Sequence, residues 1–309
     1  MIRPEGSWVA LVTPFTEQDT IDVEGLRTLI DFQIAHGTAG LLVMGSAGEA
    51  TLLSADERRR VTDAAMEATS GRIPVFVGTT CLSTRETVEL SRYAERARAD
   101  GLLLLVPPYV NPSQDAIAGH FRAVASAVSL PLAVYNNPSR VGVNIDPPTI
   151  IRLAEEIPTL VADKEAMGRA AQVEEVLEGT GGRLRVLCCD FPGYGLLFPT
   201  LGAGGHGTAN ISGNVIPREM AEMSQPWRSM DDVQRTRRVY FQCLPLLRAM
   251  YWLSNPIVVK AALRLLGLPA GRVRAPLEDL RGGRLEQLGG LLDQLGVTSR
   301  YGRVKPRAR

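Results

Sequence analysis

Lys164 closes a short apolar run, Leu160-Val161-Ala162-Asp163-Lys164-Glu165, and its residue type singles it out. The chain holds 34 lysine and arginine residues, of which only three, Lys164, Lys260 and Lys305, are lysines. Arginine is the default cation here, and it stays charged and cannot serve as an amine nucleophile. A lysine at the end of a buried strand can shed its proton on desolvation and attack a carbonyl carbon. The plain alternative is a snorkelling lysine, or one ion-paired with Glu165. Two other stretches carry groups suited to the same chemistry. Tyr135-Asn136-Asn137-Pro138-Ser139-Arg140-Val141-Gly142 offers a phenol at the end of an apolar run. Its Arg140 adds a planar fork that fits a carboxylate. Gly45-Ser46-Ala47-Gly48-Glu49 offers a tight turn whose successive N–H groups can face an anion. Each has an ordinary reading too: a packing tyrosine, a surface arginine, a turn between elements.

Such groups act together only if the fold converges on them. Apolar runs recur at Trp8–Val12, Ala39–Met44, Ile73–Val77, Leu102–Val106, Leu132–Tyr135, Leu160–Lys164, Leu184–Cys189 and Gly205–Ala209. Amphipathic helical patterns separate them, and Ser54 with Glu57 and Ser83 with Glu86 have the spacing of capping boxes. A short helix is expected around Tyr194–Leu201. The repeat is about thirty residues, the length of a strand–helix unit. Strands apolar on both faces, alternating with helices, make a parallel sheet covered by helices. Eight units predict an α/β fold, a (β/α)8 TIM barrel over residues 1–225, with a doubly wound open sheet as its rival. After Pro226 the pattern is helical only, over Asp231–Leu253, Pro256–Leu266 and Pro276–Leu295. This predicts a C-terminal helical extension, 226–309, packed on the barrel. On a barrel the C-terminal strand ends share one face, where catalytic residues collect. Ser46, Tyr135 and Lys164 all fall at such ends.

Bulk properties narrow the function. With 45% hydrophobic and 22% charged residues the composition is that of an ordinary globular protein. A net charge of +1 gives no bias towards nucleic acid or an anionic membrane. The basic run from Arg300 to Arg309 reads as a solvated terminus. Cys81, Cys188, Cys189 and Cys243 show no CxxC spacing, and His36, His120 and His206 no HxH or HExxH pattern, so neither a metal nor a cofactor is expected. Adjacent Cys188 and Cys189 should point to opposite faces of a strand. Gly202-Ala203-Gly204-Gly205-His206-Gly207 matches G-x-G-x-x-G but follows a helix and leads into a strand, which favours close packing over dinucleotide binding. No leader or membrane span is apparent, so the expected setting is cytoplasmic.

The motifs in this order resemble those of the dihydrodipicolinate synthase and N-acetylneuraminate lyase family of pyruvate-dependent class I aldolases. The resemblance runs from about Gly6 to Leu295. It rests on Gly45–Glu49, on Tyr135–Arg140 and on Lys164-Glu165-Ala166. Val106-Pro107-Pro108-Tyr109 and Asn255-Pro256-Ile257-Val258-Val259-Lys260 also fit the pattern. It implies that Lys164 forms a Schiff base with pyruvate and that Tyr135 relays protons with help from the Ser46 hydroxyl. Tyr109 would join that relay from a neighbouring subunit, which implies a homo-oligomer, a tetramer or a dimer. Ser46 and Ala47 would hold the pyruvate carboxylate, Arg140 a carboxylate at the mouth, and the backbone near Ala209 would line the pyruvate site. The chain departs from the family at Ala47, usually a threonine, at Pro108, usually a tyrosine, and at Cys188-Cys189, usually small and polar. The residues of a lysine feedback site are not matched at Ala50, Ala55, Arg58 and Pro108.

The leading expectation is a Schiff-base lyase that condenses pyruvate with L-aspartate 4-semialdehyde, since Pro138-Ser139-Arg140 resembles that branch. Aldol cleavage or dehydration of a 2-keto-3-deoxy sugar acid, or of another 2-keto acid, is the alternative. Two readings of other classes remain: a catalytically silent barrel that binds a small acid, and a phosphate-binding barrel using Gly202–Gly207.

Overall fold

The computed structural model of the chain describes residues 2–302. Lys305 and most of the basic run at the C-terminus lie outside the described residues. Eight parallel strands close into a barrel in sequence order. They are β1 Gly6–Ala10, β2 Gly40–Val43, β3 Val75–Gly78, β4 Gly101–Leu105, β5 Leu132–Asn136, β6 Leu160–Glu165, β7 Arg185–Cys188 and β8 Gly207–Asn210. The barrel helices are α1 Val23–Ala35, α2 Ala55–Thr69, α3 Thr84–Arg96, α4 Gln114–Ala125, a single turn α5 Pro138–Val141, α6 Pro147–Glu156, α7 Ala170–Thr180, α8 Leu197–Gly202 and α9 Pro217–Met223. Four more follow: α10 Met230–Ala249, α11 Ile257–Leu265, α12 Gly283–Gln294 and α13 Val297–Tyr301. The closed ring removes the open-sheet alternative.

Local chemistry accounts for the helix starts. Ser54 and Glu57 form the reciprocal capping box at α2, and the Ser83 and Ser113 hydroxyls accept N–H groups in the first turns of α3 and α4. Inside the barrel, Trp8 of β1 and Phe76 of β3 meet edge to face, with ring centroids 5.0 Å apart. Gly40 and Gly101 make room for them: a Cβ at either would come within 2.6 Å of the Trp8 or Phe76 ring. These bulky residues from alternate strands fill the interior below the mouth, so the barrel is a packed core open at one end.

Two expectations shift in detail, and a third holds. The helix foreseen from Pro276 starts only at Gly283. Gly282 adopts φ +59, and before it Asp279 is held by Arg264 at 3.2 Å and by the Val273 N–H at 3.3 Å. The helix foreseen around Tyr194–Leu201 is split by Gly195 at φ +65 into a tight turn, Pro192–Tyr194, and α8. The glycine-rich segment is a packing device. Gly207 sits at φ +139, and a Cβ there would lie 2.1 Å from the Gly6 carbonyl oxygen. The segment also enters β8 at its N-terminal end, opposite the barrel face where ligands bind. That placement removes the reason for a phosphate site there.

Candidate active site

Register brings the lysine and the phenol together. Tyr135 of β5 pairs with Lys164 of β6, so both side chains point inward at one height. Lys164 Nζ lies 4.1 Å from the centroid of the Tyr135 ring, and both residues are 4% exposed. Glu165 is not its ion partner. Neighbouring strand residues face opposite sides, and Glu165 turns outward to accept from Gln172 Nε2 at 2.8 Å and Asn136 Nδ2 at 3.1 Å. Burial pushes the Glu165 carboxyl up to about 7. Among the described residues Lys164 forms no salt bridge and no hydrogen bond.

Lys260 is the structural lysine. Fully buried on α11, it pairs with Glu49 at 2.6 Å and donates to the Arg272 carbonyl at 3.0 Å. Burial lowers its ammonium to about 8, with Glu49 opposing the shift. Glu49, at φ +55, ends the loop that carries Ser46, and the Thr13 hydroxyl donates to the Gly48 carbonyl at 2.8 Å. The ion pair and this bond anchor the loop from below. Met44, at φ +56, is a second left-handed residue beside it, a strained backbone position held by its surroundings.

A cavity of about 440 Å³ opens above Lys164. Ser46, Tyr135, Arg140, Lys164 and Ala209 all line it. Ala47 is fully buried and does not reach it. Tyr109 is not part of its lining: at φ +78 it is 94% exposed, and exposed Val110 follows it in the chain. Arg140, on α5, donates to Ser254 Oγ at 2.9 Å and so spans the mouth. A second, larger cleft of about 710 Å³ shares Ser46 and Arg140 and holds Ala50, Ala55, Arg58 and Pro108. There Arg58 turns its guanidinium to the carbonyls of Gly78 and Thr80, at 3.1 and 3.0 Å, and to Cys81 Sγ at 3.1 Å.

Several residues in and around the cavity were not assigned to the site from the sequence. Cys189 faces inward and lines the cavity, whereas Cys188 faces outward, as strand alternation requires. Burial pushes the Cys189 thiol up to about 11, so it is a neutral wall and not a nucleophile. Asp190 accepts the N–H groups of Ile211 and Ser212 at 3.2 and 2.9 Å and the Tyr251 hydroxyl at 2.5 Å. One carboxylate thus ties the ends of β7 and β8 to the turn that follows α10. Phe191 stacks on Tyr251 at 4.4 Å, and with Tyr194 and Trp252 they form an aromatic side to the mouth. Position directly after a strand was the available signal for Cys189 and Asp190. Nothing local marks Tyr251.

What the site offers chemically is one amine without a counter-charge among the described residues, one phenol against it, a hydroxyl and a guanidinium in the same cavity, and a lining of mixed polar and aromatic character. Among the described residues no group of three or more His, Cys, Asp or Glu is placed to hold a metal ion, and no helix is long and apolar enough to cross a membrane.

Comparison with known proteins gives consistent relatives. A family model described as the dihydrodipicolinate synthetase family matches residues 3–295. The 4-hydroxy-tetrahydrodipicolinate synthase of Nitratidesulfovibrio vulgaris is 41% identical over 94% of this chain and 98% of that protein. That of Pelobacter propionicus is 41% identical over 89% and 93%. Among solved structures, the Aquifex aeolicus dihydrodipicolinate synthase is 33% identical, covers 96% of this chain and 99% of its own, and superposes with a TM-score of 0.90. A structure described as a monomeric dihydrodipicolinate synthase variant is 32% identical over 95% and 97%, with a TM-score of 0.89.

Proposed function

This chain belongs to the dihydrodipicolinate synthetase family, and on that premise we propose that it condenses pyruvate with L-aspartate 4-semialdehyde through a Schiff base on Lys164. The observation that carries the reading is the buried Lys164 amine, unpaired among the described residues, at the floor of a cavity against the Tyr135 ring. The amine adds to the keto carbon of pyruvate, and loss of water leaves an iminium. The iminium draws electrons from the adjacent methyl carbon, so a proton leaves and an enamine remains as the nucleophile. That enamine attacks the aldehyde carbon. Tyr135 is the proton carrier in contact with these atoms, and the Ser46 hydroxyl lines the same cavity. The Ser46 end of its loop and the backbone of Ala209, which line the cavity, receive the pyruvate carboxylate. Tyr109 serves a neighbouring copy, which its exposure and left-handed backbone support, and the chain works as a homo-oligomer. Four free thiols support a reducing setting, the cytoplasm.

Borohydride added to the protein with pyruvate tests this directly. The intact mass is expected to rise by one reduced pyruvate unit, located by peptide mapping at Lys164. No adduct with pyruvate or any other 2-keto acid would remove the reading.

The aromatic side formed by Phe191, Tyr194, Tyr251 and Trp252 favours a second reading, in which the partner aldehyde is larger, as in a keto-deoxy sugar acid aldolase. Arg140 decides between them. Its planar fork matches the carboxylate of aspartate semialdehyde. Arg140→Met is expected to raise KM for that aldehyde on the order of 10²-fold, the scale of a lost charge-assisted pair. KM for pyruvate should stay the same. An unchanged KM for the semialdehyde would turn the assignment towards the larger aldehydes.

A further inference from the structure

We propose that Asn137 is a positioning residue that keeps the Tyr135 proton turned towards substrate and holds the phenolate oxygen while that proton is away. The inference rests on the Schiff-base reading and adds to it a residue and a direction of proton flow. In the structure the hydrogen-bond partner of the Tyr135 oxygen is Asn137 Nδ2, at 2.8 Å. Among the described residues no hydrogen bond joins Tyr135 to Ser46.

The backbone explains how Asn137 reaches the phenol. It precedes Pro138, which keeps it out of helical conformation, and its φ and ψ are −145° and 79°. Asn137 occupies the N-cap of α5 yet makes no side-chain cap hydrogen bond. Its side chain instead turns back to the residue two before it. It is 6% exposed, so water competes little for the amide.

In the structure a chain of neighbouring hydroxyls matches the orientation of the amide. Ser139 Oγ donates to Asn137 Oδ1 at 2.7 Å and lies 3.1 Å from the Tyr194 hydroxyl. A serine has one proton to give. It is spent on the Asn137 carbonyl, so Tyr194 donates to Ser139. With the carbonyl of Asn137 facing Ser139, its amino group faces Tyr135. The Tyr135 oxygen therefore accepts, and its own proton remains for the cavity.

The consequence follows the reaction with charges balanced. Neutral Lys164 and pyruvate give a neutral carbinolamine. Tyr135 passes its proton to the departing hydroxyl, which leaves as water, and an iminium cation and a phenolate remain. The phenolate then takes a proton from the pyruvate methyl carbon, which regenerates the phenol and gives a neutral enamine. Between those steps the phenolate is stabilised by the Asn137 N–H, a donor already in place and needing no reorganisation.

The test uses Asn137→Asp, which keeps shape but offers an acceptor where the donor was, and Ser139→Ala, which releases the amide from its anchor. Each protein is incubated with pyruvate alone in D2O. Loss of the methyl proton signal is followed by NMR, and the Lys164 adduct is trapped by borohydride after long incubation. Asn137→Asp should retain the adduct while methyl exchange per adduct falls on the order of 10²-fold, the scale of general acid–base catalysis. Ser139→Ala should fall in the same direction by less. Exchange per adduct at the wild-type rate in Asn137→Asp would overturn the proposal. So would a parallel loss of adduct and exchange in both variants, which marks a merely structural role. A wild-type protein with neither adduct nor exchange would instead sink the Schiff-base reading itself.

Discussion

Replacing Lys164 with arginine should abolish turnover, with a loss on the order of 10³-fold or more, as removal of a nucleophile does elsewhere. The substitution keeps a long apolar stem with a nitrogen head but removes an amine able to bond carbon. Lys164 has no ion partner among the described residues, so no buried carboxylate is stranded by the change. The variant should melt near the wild type and show no borohydride adduct. Turnover within tenfold of wild type would mean that another group carries the carbon.

The second large effect concerns the residue beside it. Asp163 faces outward from β6 between Val134 of β5 and Val186 of β7, fully buried. Neither of its carboxyl oxygens has a hydrogen-bond partner among the described residues. Burial holds this carboxyl well above the usual carboxylate range, and the nearby Glu165 carboxyl adds to the shift. The folded chain therefore keeps a proton that the unfolded chain gives up near pH 4. Stability is lost as pH rises from there through the folded-state value. Asp163→Val, which continues the apolar row, should stabilise the protein by about 2 kcal/mol at pH 8, the scale of an unsatisfied buried polar group. The gain should shrink towards pH 4.5. Urea melts of both proteins at the two pH values measure it, and an equal gain at both would show that the carboxyl carries no charge penalty.

Much of this was legible in the sequence because strand ends and residue scarcity are local signals. Lys164 stood out as one of three lysines. The barrel followed from eight repeats, and with it the common face of Ser46, Tyr135 and Lys164. Strand alternation alone would have ruled out the Lys164–Glu165 ion pair once the strand is known to run on to Glu165. The contacts left unread join distant parts of the chain. Asp190 and Tyr251, or Glu49 and Lys260, meet only in the closed barrel, and no spacing rule links them. Asn137 was visible as a loop residue, but its direction depends on Ser139 and on a tyrosine from the loop after β7.

The buried Glu49–Lys260 pair sets an order of events during synthesis. The serine loop is made early, yet the cation that neutralises its acidic end leaves the ribosome some two hundred residues later. A nascent chain halted before residue 260 therefore lacks the cation that neutralises Glu49 at the end of the serine loop in the closed barrel.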